Sequence, residues 1–123
     1  FDLFKKLSIK YKICVATNAV KETLSVCLSK LKINKFVNFA ISNEDVSHSK
    51  PHPEIYLKCM IETGSKPSEC LIIEDSYIGR VSAQESGGQL FPINKLSEVN
   101  YKEIKEYINN ASKDKKSKKI FTL

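Results

Sequence analysis

The chain has 123 residues, of which 41% are hydrophobic and 28% charged, and a formal charge of +6; this is the make-up of one globular domain and too short for two. No apolar run approaches the roughly 18 residues of a membrane helix, and the N-terminal Phe1-Asp2-Leu3-Phe4-Lys5-Lys6 has neither the basic-then-apolar order of a signal peptide nor an initiating Met, as in a truncated or processed chain. Residues 112–123 hold five lysines against one aspartate, four of the six net charges, so the basicity belongs to a tail. That tail reads as solvated, disordered and dispensable for folding, and nucleic acid is not an expected partner.

In chain order, Tyr11 to Ala16 is a strand candidate, and Val20 to Leu31 sets Val20, Leu24, Cys27, Leu28 and Leu31 on one helical face. Phe39 to Ser42 reads as a second short strand. Pro51 and Pro53 forbid a helix until Pro53 can serve as its first residue; Ile55, Tyr56, Cys59, Met60 and Thr63 then make an apolar face that Gly64 closes. Cys70-Leu71-Ile72-Ile73 is an unbroken apolar run, as in a strand buried on both faces of a parallel sheet. Ser76 caps a helix through Glu85 that Gly87-Gly88 ends. A strand at Gln89 to Pro92 and a helix near Tyr101 to Asn109 follow. Such alternation predicts an α/β fold with right-handed crossovers and functional groups at the C-terminal ends of the strands.

Three groups fall at those ends. Thr17-Asn18 follows the first strand, where a hydroxyl and free N–H groups can hold a phosphate or merely cap a helix. In Ser49-Lys50-Pro51-His52-Pro53-Glu54 two prolines stiffen a loop, so that Lys50 projects from a fixed position as a charge clamp must. Glu74-Asp75 sets two carboxylates where an oily strand stops, a costly arrangement unless a cation compensates, and oxygen ligands of this kind suit Mg2+. The four cysteines, Cys14, Cys27, Cys59 and Cys70, form no Cys-x-x-Cys pair and read as buried thiols of a reducing compartment. A zinc site on His48 and His52 is not expected, because Pro51 interrupts any helix that would align them.

Ala16-Thr17-Asn18, then Ser49-Lys50-Pro51-x-Pro53-x-x-Tyr56, then Ile73-Glu74-Asp75-Ser76-x-x-Gly79-x-x-Ser82-Ala83 resemble, in order and spacing, three motifs of the haloacid dehalogenase superfamily, in the manner of its small phosphatases and β-phosphoglucomutases. The resemblance runs from about Tyr11 to Pro92. It implies a three-layer sandwich with a parallel Rossmann-like sheet over residues 1–111, followed by the Lys-rich tail of 112–123. It also implies a cytoplasmic, magnesium-dependent phosphatase or phosphomutase acting on a small phosphorylated metabolite. Thr17 and Lys50 would contact the phosphate with help from Asn18, and Asp75 and Glu74 would hold Mg2+. The family's Asp-x-Asp nucleophile motif and its cap domain have no counterpart here, so the sheet is expected to be incomplete and the chain alone inactive. An open slot should then separate the strand of Ile13 from the strand of Ile72, unless a strand from elsewhere fills it. The alternative is a non-catalytic module of the same fold. Arg80 and Ser82 replace small apolar residues and are expected to touch phosphate or reach solvent.

Overall fold

Because each apolar run is followed by a helical period, successive strands return in the same direction and a parallel sheet results. The computed structural model describes residues 2–95, 99–110 and 119–122. Its elements are α1 (Asp2–Lys10), β1 (Lys12–Ala16), α2 (Lys21–Lys30), β2 (Phe39–Ile41), α3 (Glu54–Thr63), β3 (Cys70–Glu74), α4 (Tyr77–Glu85), β4 (Gln89–Pro92), α5 (Tyr101–Asn110) and β5 (Lys119–Thr122). The strands pair in parallel in the order β2-β1-β5-β3-β4.

Alternate residues of the central strands supply two cores. Cys14, Ala16, Cys70, Ile72 and Phe121 face Ile55, Tyr56, Cys59 and Met60 of α3 and Ala83 of α4. Ile13, Leu71, Ile73 and Ile120 face Leu7 of α1 and Ile104 and Ile108 of α5. The sheet is thus covered on both sides, the three-layer arrangement expected, and this is why the run at 70–73 shows no polar alternation. Local signals act as read: Gly64 ends α3 at φ +61°, and the Ser76 hydroxyl accepts from the Gly79 N–H at 3.1 Å.

Three expectations are corrected. The first concerns the slot between β1 and β3, which β5 fills: Ile120 lies opposite both Ile13 and Leu71, and Phe121 opposite both Cys14 and Ile72. The end of the supposedly disordered tail is therefore a central strand, with Ile120 and Phe121 at 1% and 0% exposure. Lysine density set the reading of that segment as solvated. The unpaired inner edges of β1 and β3 outweigh it, because each buried N–H and C=O without a partner is penalised. Residues 112–118, to which the expectation of disorder also applied, lie outside the described residues. The second is α2, of whose expected apolar face Leu24 alone is buried, while Val20 and Leu31 stand 44% and 55% exposed. The third follows from it: Cys27 is exposed, whereas Cys14, Cys59 and Cys70 are buried as expected. Neither α1 nor β5 was legible beforehand.

Phe121 also stacks on Tyr56, with ring centroids 6.2 Å apart. Phe121→Ala should lower the free energy of unfolding by about 3–5 kcal/mol in urea titrations. A loss below about 1 kcal/mol would mean that β5 does not carry the centre of the sheet.

Candidate active site

The β1 and β3 strands end side by side in the fold with β5 between them, and the loop before α3 reaches across their C-terminal ends. Lys50, in that loop, is 7% exposed. Its Nζ donates to the Ala16 carbonyl at 3.0 Å and to Glu74 Oε2 in an ion pair whose two side chains are 5% and 1% exposed. The Tyr56 hydroxyl donates to the same carboxylate oxygen. Lys50 Nζ stands 5.0 Å from the centre of the Tyr56 ring. Burial first, and the Glu74 charge second, hold the Tyr56 phenol well above its ordinary pKa, so it stays a donor. Two of the three Nζ hydrogens are thereby taken, and the third has no acceptor among the described residues.

The loop is fastened by Asn18. Its Oδ1 accepts the Lys50 N–H at 3.0 Å, and its Nδ2 donates to the Lys50 carbonyl at 3.4 Å. The backbone N–H of Asn18 donates to no described residue. Thr17 closes the β1–β2 ladder by donating its N–H to Ile41 O at 3.1 Å. Its Oγ1 accepts from Ala19 N at 3.0 Å, so the turn is capped and the hydroxyl proton is still free to donate. Asp75, one residue beyond the buried Glu74, is exposed. Burial alternates abruptly here because Glu74 is the last residue of the strand and Asp75 the first of the turn.

The structure therefore brings Lys50, Glu74 and Asn18 into one connected group, with Thr17 at the end of β1 and Asp75 at the end of β3. Two expectations about neighbouring residues change. Arg80 Nη2 donates to Ile93 O at 2.6 Å, and the Ser82 Oγ donates to His52 O at 2.8 Å; Arg80 is half-buried and Ser82 buried, so neither simply reaches solvent. Both tie loops to α4. Tyr56 is the participant that helical periodicity concealed, since its position on the apolar face of α3 accounts for its ring and not its hydroxyl. Gly79 is another: a Cβ there would collide with the Glu74 carboxylate. Only a glycine lets α4 pass over that carboxylate.

The sequence profile of haloacid dehalogenase-like hydrolases matches residues 2–93, and the chain belongs to that family. A pyrophosphatase PpaX of Bacillus cereus is 32% identical over 77 residues, covering 63% of this chain and 36% of the relative. An uncharacterized protein of Haemophilus influenzae is 28% identical over 93 residues, 76% of this chain and 46% of that one. Among solved structures, a HAD-superfamily hydrolase of subfamily IA from Geobacter sulfurreducens superposes with a TM-score of 0.69 at 26% identity, over 72% of this chain and 42% of that one. A Thermotoga maritima protein assigned as a beta-phosphoglucomutase gives 0.71 at 20% identity, over 97% and 52%; this second likeness shows the fold alone. The chain spans about half the length, or less, of these relatives.

Gly79→Ala should expel Glu74 from its pair with Lys50 and cost about 3 kcal/mol of stability, the order expected for breaking a buried ion pair. In a Glu74→Ala background the same substitution should cost much less, a coupling that a double-mutant cycle by chemical unfolding would read. Additive effects would show that Gly79 is needed for some reason other than its approach to Glu74.

Proposed function

We propose that this chain is the phosphate-gripping part of a magnesium-dependent phosphoryl-transfer enzyme that acts on a small phosphorylated metabolite. The observation that carries the reading is the buried ammonium of Lys50, held by the Ala16 carbonyl and Glu74 at the ends of β1 and β3 with one donor unspent. A fixed positive charge at that place, beside a hydroxyl and an unspent N–H, is what a transferring phosphoryl group requires, since positioning and charge neutralisation supply most of its catalysis.

In this reading Lys50 neutralises a phosphate oxygen, and Thr17 and the Asn18 N–H donate to the others. Asn18 sets the Lys50 backbone, and Glu74 with Tyr56 keeps the ammonium from turning away. Glu74 and Asp75 end β3 as adjacent carboxylates, and that of Asp75 is open to solvent; oxygen donors of this kind fit a hard cation. Asp75 would hold Mg2+, with Glu74 orienting its hydration. When bound, the ion would neutralise phosphate charge and fix its orientation. The attacking carboxylate and the cap that selects substrate would come from a segment outside the 123 residues, with the enzyme working in the cytoplasm. PpaX, a pyrophosphatase, points to phosphate chemistry of the same kind. The second reading, a non-catalytic module, gains from β5, which occupies the strand position expected of the nucleophile and carries no aspartate.

The test is hydrolysis of p-nitrophenyl phosphate by the whole parent polypeptide. Turnover should require Mg2+ and fall at least about 100-fold in Lys50→Ala and in Asp75→Asn, whereas the 123-residue chain alone should show none above background. Turnover that survives both substitutions would remove these residues from the mechanism. A parent without any turnover would favour the non-catalytic module.

A further inference from the structure

The sequence argues against a site built from His48 and His52, since Pro51 denies them a shared helix, yet the loop brings them together by another route. Their rings stack with centroids 4.7 Å apart, and His48 Nδ1 lies 3.1 Å from Glu54 Oε1. One ligand atom from each of His48, His52 and Glu54 lies within 4.8 Å of the others. We propose that these three side chains form a binding site for a borderline divalent transition ion, Zn2+ in the first instance, separate from the strand-end carboxylates and independent of the phosphoryl-transfer reading.

The chemistry favours nitrogen-preferring ions over Mg2+. Two imidazoles and one carboxylate are a common zinc ligand set, with metal–ligand distances near 2.0–2.2 Å that place ligands about 3.3 Å apart around a tetrahedral ion. The separation of His48 Nδ1 from Glu54 Oε1 is already close to that. His48 is exposed, with 66% of its side chain accessible, and can swing. Glu54 cannot: its two oxygens accept the Ser47 and His48 N–H groups at 2.9 and 3.0 Å, which leaves lone pairs for an ion. His52 now accepts the Glu54 N–H on Nδ1 at 3.0 Å. To bind through Nε2 it must shift its ring proton to Nδ1 and release that amide, which lies in the exposed first turn of α3 where water can take its place. His48 and His52 line a hollow of about 630 Å3 that Glu85 of α4 also lines. Bound there, the ion would cross-link both sides of the loop that carries Lys50.

The chain has only two histidines, so the imidazole 15N spectrum is simple. The full chain, without a polyhistidine tag and in saturating Mg2+, would be titrated with ZnCl2. Both rings should shift together at one equivalent, and the Glu54 amide should move with them. His48→Gln and Glu54→Gln should weaken zinc binding at least about 10-fold, while Asp75→Asn leaves it unchanged. The His48 side chain is exposed and touches only Glu54 and the His52 ring, so its variant should fold as the parent does, which far-UV circular dichroism would verify. A shift of one ring alone, no shift at all, or loss of zinc binding in Asp75→Asn would each overturn the proposal.

Discussion

Between β1 and β3 the fold needs a strand, and the rest of the molecule is arranged around meeting that need. Two parallel strands buried on both faces each present a row of N–H and C=O groups to the gap, with no water to take them up. β5 supplies the missing ladder on both sides and drops one apolar side chain into each core. Four residues suffice because the groups they satisfy are at the centre of the sheet rather than at its edge. A cluster of lysines nearby in sequence does not prevent this, since the cost of a lysine depends on where its own head group ends up.

The order of the sheet also creates the candidate site. With β1 and β3 flanking β5, the Ala16 carbonyl and the Glu74 carboxylate come within reach of a single ammonium. A buried charge is tolerable only when it is paired and hydrogen-bonded, and Lys50, Glu74 and Tyr56 satisfy one another in that way. The same arrangement explains Gly79: α4 must lie close over the carboxylate for the pair to stay dry, and a methyl group there has no room. Asn18 adds the link between the β1 turn and the Lys50 loop, so the positions of three separate chain segments depend on one another.

Much of this was legible from residues alone. The apolar run of 70–73, the cap at Ser76 and the stop at Gly64 each rest on local stereochemistry, and each element that was expected stands within a residue or so of its expected place, α1 and β5 having had none. The sheet-end location of Thr17, Lys50, Glu74 and Asp75 followed from alternation, which makes strand ends converge. Helical periodicity misled at α2, because an apolar stripe says which face could be buried and not whether a neighbour is there to bury it. It also hid the Tyr56 hydroxyl, whose partner lies 18 residues away on another element.

The sequence by itself determined the alternating strands and helices, their caps, and the residue types at the strand ends, because those depend on neighbours a few positions away. Only the tertiary structure decided that a lysine-rich end enters the middle of the sheet and that Glu74 pairs with Lys50. It alone also brought two histidines separated by a proline into contact. Each of those outcomes is set by unpaired groups far apart in the chain, whose demand for a partner appears only when the strands are side by side.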